Sequence, residues 1–333
     1  MTKKIISQWL SDCVKNHHEC CTSPSEPFFP TRLIDLGPLP SHLSPTLIIT
    51  HEHPAFQAFD DSPCTERVSR PVYATLSHCW GKLQPLRLLT SNIDDMKKGF
   101  SMDLILKTFA DAFLVVKGLG IQFIWIDSLC IIQDSRGDWL KESAMMGTVY
   151  GTAYLNIAAT GAVDGSEGLL FNHDPRAVAP TQISVRWEGR PEKLYLVVEG
   201  EDAWRKRFEG FPLCRRAWAL QERVLAPRIL HFTKEQLIWE CRRHVLSESF
   251  PNGLPEHLRN YHVVRNFVLP SLQGSFPTAW AGVVRLYTGA ELTVPQDKLI
   301  AISGLASEMR LCGHASSRYL GGMWESQLPI SLL

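Results

Sequence analysis

From residue 72 onward, apolar runs of strand length alternate with amphipathic stretches of helix length. Such alternation predicts β/α units around a largely parallel sheet, whose strands are apolar throughout because helices cover both faces. Residues 72–78 read as the first strand and 121–127 as the second. Between them, residues 103–117 set Leu104, Phe109, Phe113 and Val116 on one helical face, with Gly118 and Gly120 available to end the helix. Residues 138–150 read as a further helix with Asp138 as its N-cap, and residues 154–160 as a third strand.

From about residue 181 the period shifts toward two. Residues 182–187, 193–198, 229–233 and 236–241 then read as antiparallel strands or hairpins, with a helical stretch at RRAWALQERVL (215–225) among them. Two more helices are expected at 278–288 and 296–310. Residues 22–71 are rich in Pro, Ser and His, with one apolar run at 47–50 that suits an edge strand. The expected division is an N-terminal helix and extended arm (1–71), an α/β core with a β insertion (72–245), and a loop with a C-terminal helical segment (246–333).

Composition narrows the function. Thirty-four basic residues balance thirty-four acidic ones, so no global field draws the chain to nucleic acid or an anionic membrane. The most apolar stretch, 113–132, is broken by Lys117, Gly118, Gly120 and Asp127, which excludes an ordinary membrane span. Nine cysteines without a CxxC pair, and an N-terminus lacking a long apolar run, point to a reducing, cytoplasmic setting.

Three segments place polar chemistry at the ends of apolar elements. YATLSHCWG (73–81) finishes a strand with Ser77, His78, Cys79, Trp80 and Gly81, where open α/β sheets bind ligands. There Gly81 permits close backbone approach. FIWIDSLCIIQD (123–134) sets Asp127 at a strand end, either capping the next turn or facing the ligand crevice, and Cys130 as a small core residue. In RRAWALQER (215–223), Trp218 and Glu222 are four apart and share a helix face; the competing partners for Glu222 are Arg215, Arg216 and Arg223. Taken alone, Trp80 also reads as a packed aromatic, His78 as a satisfied turn histidine and Glu222 as a solvated carboxylate in an arginine pair. Cys13, His17, His18, Cys20 and Cys21 match no common zinc spacing, so no metal is expected. A thiol nucleophile, Cys79 or Cys130, beside an imidazole such as His78 is an alternative, although adjacent strand residues face opposite ways.

These segments resemble the hallmark motifs of the fungal heterokaryon-incompatibility (HET) domain family. YATLSHCWG resembles the first, FIWIDSLCIIQD with the following DWLKESAMMGTVYGTA the second, and RRAWALQERVL the third, covering residues 72–222. HxxC at Cys20, PTRLID, LTVPQDKLIAISGLA and YLGGMWESQL resemble flanking parts of long members. The chain ends soon after MWESQL, as a fragment, a short paralogue or a member adapted to another task would.

The resemblance implies a TIR/flavodoxin-like, mostly parallel sheet with helices on both faces, plus antiparallel β additions and C-terminal helices. It also implies a role in non-self recognition and programmed cell death, with TIR-like hydrolysis of NAD as substrate and no cofactor. Trp218 and Glu222 match the WxxxE pattern whose carboxylate serves TIR enzymes. Glu222 and Asp127 are then the catalytic candidates, and Ser77, His78, Trp80, Gly81 and Trp218 the substrate-binding ones. No GxGxxG loop is present, so a dinucleotide would not bind in Rossmann geometry. Two other readings compete: a non-catalytic signalling module acting by self-association or partner binding, and a scaffold recruited to a small metabolite through a Cys/His pair.

Overall fold

The computed structural model describes residues 2–21, 28–38, 44–57, 71–82, 86–172, 174, 178–189, 191–197, 200, 204, 206, 208–259, 276–311 and 317–328. In chain order the helices are α1 (Thr2–Asn16), α2 (Ile93–Lys98), α3 (Lys107–Gly118), α4 (Asp127–Cys130), α5 (Arg136–Thr152), α6 (Ala217–Leu225), α7 (Glu256–Arg259), α8 (Phe276–Thr288) and α9 (Ile300–Leu311). The strands are β1 (Arg32–Asp35), β2 (Thr46–Ile49), β3 (Tyr73–Ser77), β4 (Phe123–Trp125), β5 (Leu155–Ala158), β6 (Thr181–Val185), β7 (Lys193–Val197), β8 (Arg228–Phe232), β9 (Leu237–Cys241), β10 (Val245–Ser247), β11 (Tyr319–Leu320) and β12 (Met323–Trp324).

Eight strands form one sheet in the order β10-β9-β8-β5-β3-β4-β1-β2. Its centre is parallel: β3 pairs with β4 (Ala74 opposite Ile124) and with β5 (Ser77 opposite Ala158), and β5 pairs with β8 (Asn156 opposite Ile229). Taken in chain order, these four strands follow the 2-1-3-4 arrangement of flavodoxin-like doubly wound sheets, with the switch point between β3 and β5. Right-handed crossovers put α3 on one face and α5 and α6 on the other. The mutual packing of α5, α6 and α9 agrees with that assignment.

Antiparallel strands close both sides, β9 and β10 beyond β8 and β1 and β2 beyond β4. The expected edge strand at 47–50 is β2, while β6 and β7 pair only with each other. Residues 229–233, read as an antiparallel strand, instead join the parallel centre through β5 and turn antiparallel only toward β9. Period-two patterning marks a strand but does not name its partner.

Three local expectations are corrected. β4 stops at Trp125, because Asp127 opens α4 and takes the Ser128 N–H at 2.7 Å. The crossover helix starts at Lys107 after a 3₁₀ turn (Met102–Leu104), which leaves Leu104 exposed instead of on the buried face. Ser135, not Asp138, caps α5 by accepting from the Asp138 N–H; the Asp138 carboxylate is bound by the Arg32 guanidinium. That pair, with Arg32 also donating to the Cys130 carbonyl at 2.6 Å, fastens the N-terminal arm to the second motif.

The main core runs from Ile6, Trp9 and Leu33 through β3, β4 and β5 to Trp239, so the arm shares one apolar interior with the sheet. Trp125, fully buried at its centre, is worth roughly 3 kcal/mol in transfer alone. A second cluster joins α6 to α8 and α9 around Trp280, Leu305 and Trp324. Where α5 and α9 cross, Gly147 meets Gly304: a Cβ on either would lie 3.1 or 3.2 Å from the other's Cα and 3.3 Å from Leu225 of α6. Small residues at this crossing fix how deeply α6 sits. Among the described residues, no helix is long and apolar enough to cross a membrane.

Candidate active site

β3 delivers the first motif to the switch point. Alternation turns Thr75 and Ser77 to one face, where both hydroxyls reach Asn156 Oδ1 (3.1 and 3.3 Å) and Asn156 Nδ2 donates back to Ser77 Oγ at 3.0 Å. His78 follows on the α3 side, edge-on to Phe109 and stacked 9° from parallel with Trp80. Gly81 adopts φ +66°, and a Cβ there would collide with the Asp164 side chain. Its glycine is therefore required by a neighbouring loop of the chain.

The second motif meets the first through Asp127. Trp80 Nε1 donates to Asp127 Oδ2 at 2.9 Å, and His78 Nδ1 lies 3.9 Å from Asp127 Oδ1. The carboxylate thus ties its own helical turn through the Ser128 N–H and also lies beside Trp80 and His78 at the strand tips. Burial lowers His78 to about 4, against the pull of Asp127 and with added repulsion from Arg216, so its imidazole is neutral at neutral pH. His78 Nε2 is buried without a hydrogen-bond partner among the described residues.

The third motif brings Glu222 to the same place. The residue is 4% exposed on the inner face of α6. Burial pushes its carboxyl up to about 7, against the pull of Arg216 and the Ser77 hydroxyl, and Asp127 pushes further in the same direction. The Ser77 and Tyr150 hydroxyls stand beside the carboxyl and favour its ionised form, although in this geometry their long hydrogen bonds go to Asn156 Oδ1 and the Leu76 carbonyl, both at 3.3 Å. Oε2 of Glu222 thus has no hydrogen-bond partner among the described residues. Of the three candidate partner arginines, Arg223 turns away to Glu240, while Arg216 donates to the His78 carbonyl and links the third motif to the first.

Residues 73–222, from the first residue of β3 to Glu222 itself, match the family model described as Heterokaryon incompatibility protein (HET). The segment is a HET domain. No curated protein and no solved structure matches the chain.

Within the HET domain, Ser77, His78, Trp80, Asp127 and Glu222 come together, whereas the remaining candidates are placed differently. Trp218 is partly exposed between the main and C-terminal cores, and its indole hydrogen-bonds to Asp297. Cys79 and Cys130 are buried, with thiols raised by burial, Cys130 to about 12. Thiols in that state are protonated and poorly nucleophilic.

Sequence reading passes over Asn156 and Tyr150 as site residues, and names Arg216 only as one of three possible partners of Glu222. An Asn inside the apolar run YLNIAA is a visible signal, because a buried amide needs partners. Tyr150 looks like any apolar helix position until its hydroxyl is placed. Behind the site, Thr160 is hydrogen-bonded to His231 Nδ1 at 2.8 Å, and His231 Nε2 lies 3.2 Å from Glu240 Oε2. Burial opposes ionisation of Glu240, but Arg223 and His231 outweigh it and hold the carboxyl well below its ordinary range. A cavity of about 40 Å³, room for two or three waters, lies between α6 and the sheet and is lined by Ser77, Asn156, Arg223 and His231 among others.

Proposed function

We propose that this HET domain hydrolyses the bond between nicotinamide and ribose in NAD or a related nucleotide, in the service of non-self recognition and cell death, with Glu222 as the central catalytic group. The observation that carries the reading is the Glu222 carboxyl, buried at the flavodoxin-like switch point with one oxygen unpartnered. A desolvated carboxylate with spare acceptor capacity suits a positive centre that forms during reaction.

In this reaction the C1′–N bond breaks with its electron pair going to nicotinamide, which departs neutral and needs no general acid. The ribosyl centre becomes oxocarbenium-like, water adds to C1′, and its proton passes to a carboxylate, Glu222 or Asp127. At an effective dielectric of about 20, a charge ~4 Å from that centre contributes roughly 4 kcal/mol, about a thousandfold in rate. The cationic pyridinium of bound substrate draws Glu222 toward its ionised form. Trp80 offers a flat wall, and Ser77 and His78 offer polar contacts to the sugar. A nucleotide needs hundreds of Å³, so this reading requires the strand-tip site to open on substrate entry, with assembly of several chains as the event that favours the open form.

The test is nicotinamide release from NAD by the purified full chain at high protein concentration, beside Glu222→Gln. Release by the parent and none by the variant is expected. Undiminished release by Glu222→Gln overturns the assignment, and no release by the parent at any concentration leaves the HET domain as a non-catalytic self-association module.

A further inference from the structure

Far from the strand-tip site, four metal-ligating side chains meet. Cys13 sits on the last turn of α1 and His17 directly follows the helix, its backbone N–H donating to the Cys13 carbonyl at 3.1 Å, and the 3₁₀ turn that comes next (His18–Cys20) brings Cys20 back beside them. The fourth group is Cys241, the last residue of β9 and 224 positions from His17. One donor atom from each lies within 4.8 Å of the other three. All four residues are buried, at 1%, 6%, 1% and 4% exposure for Cys13, His17, Cys20 and Cys241.

We propose that Cys13, His17, Cys20 and Cys241 form a structural zinc site that clamps the N-terminal helix to the β9 edge of the sheet. Three thiols and one imidazole are the donor set of closed, tetrahedral zinc centres. Zn–S bonds of about 2.3 Å place tetrahedral donors about 3.8 Å apart, a small contraction from the observed cluster. A disulfide accounts for the arrangement less well, because it uses two thiols and leaves a third thiol and an imidazole buried against it.

The surroundings supply the outer contacts that zinc ligands need. His17 Nδ1 faces Cys241 Sγ at 3.4 Å, while its Nε2 lies 4.0 Å from the Asp12 carboxylate, which favours the tautomer with Nδ1 free to ligate. The His244 backbone N–H donates to Cys241 Sγ at 3.3 Å. Three thiolates around a divalent ion leave one net negative charge, and Arg242 and Arg243 flank it; their side chains hold Glu19 beside Cys20 through its carbonyl (3.1 Å) and carboxylate (3.2 Å). The two ligand-bearing segments are therefore joined to each other around the cluster by contacts of their own.

Local spacing hides this site because its fourth ligand comes from the other end of the fold. Its position also matters to the HET domain. Cys241 adjoins Glu240, which grips Arg223, the neighbour of Glu222 on α6.

The decisive measurement is metal content of the full chain purified without chelator, by elemental analysis, together with the absorption of cobalt(II)-reconstituted protein. A stoichiometric zinc signal is expected, and the cobalt form should show the thiolate charge-transfer and intense visible bands of tetrahedral sulfur ligation. Cys20→Ser and Cys241→Ser should lose the metal, whereas Cys21→Ser and His18→Gln, adjacent but outside the cluster, should keep it. If the Ser variants do not fold, the cobalt spectrum and a chelator-induced fall in melting temperature of the parent chain decide alone. Parent protein that takes up neither zinc nor cobalt, a disulfide among Cys13, Cys20 and Cys241, or loss of metal on Cys21→Ser equal to that on Cys20→Ser each overturns the site.

Discussion

The Trp80 indole donates to Asp127 Oδ2 across 2.9 Å, joining the loop beyond β3 to the turn that follows β4. With Ser128 N–H on the other oxygen, the carboxylate is held in one orientation beside His78. Two of the three sequence motifs are thus parts of one hydrogen-bonded unit.

Trp80→Phe keeps a ring but removes the donor. A hydrogen bond to a charged acceptor is worth about 1.5–3 kcal/mol when dry; the Asp127 side chain is 21% exposed, so about 1 kcal/mol is expected. Denaturation of Trp80→Phe, Asp127→Asn and the double variant should show coupling of that size. Strictly additive losses would contradict the link.

Glu222→Gln should stabilise the protein at alkaline pH. A carboxyl raised from 4.5 to about 7 binds its proton more tightly in the folded state, so its contribution is fully present below pH 4.5 and is lost as pH rises through about 7. The amide, neutral throughout, escapes a penalty of about 3 kcal/mol. Urea midpoints of the two forms should coincide near pH 4 and separate by pH 8, and an equal gap at both would show that the carboxyl is not buried as described. If the ionised form performs the proposed reaction, kcat/KM should climb with pH and level off above about 7.

Gly304→Ala puts a methyl 2.6 Å from Gln221 Oε1 and 3.2 Å from the Gly147 backbone. Overpacking of this kind costs about 1–3 kcal/mol. Because α6 absorbs the shift, any NAD turnover should fall more than stability does. Thermal melts beside kinetics on one preparation separate the two effects, and a variant unchanged in both would disprove the crossing.

Asp138→Asn leaves the Arg32 guanidinium, 7% exposed, without its anionic partner. Loss of one member of a buried pair costs about 3–5 kcal/mol. The melting temperature should fall by several degrees, with the N-terminal arm gaining protease sensitivity first. Cleavage confined to other segments would mean that the arm is held by its apolar contacts instead.

The parallel centre was legible because apolar strands ending in polar clusters have few alternatives, and YATLSHCWG and FIWID both do so. What stayed hidden depended on partners remote in sequence. Nothing local to residues 229–233 says that they lie beside β5, and nothing around Tyr150 says that its hydroxyl stands beside Glu222. Arg216 and Arg223 are equivalent in the sequence, and only the position of Glu240 separates them. Asp127 is ambiguous in the sequence because its two oxygens accept from different segments, the Ser128 N–H of its own turn and the Trp80 indole of the first motif.

The Gly147–Gly304 contact ties a residue inside the matched family segment to one well outside it. A chimaera that exchanges the C-terminal helices between two such proteins would inherit the depth of the acidic group from whichever donor supplied the smaller residues. Divergence at the tail can therefore retune the centre without altering any residue of the three motifs.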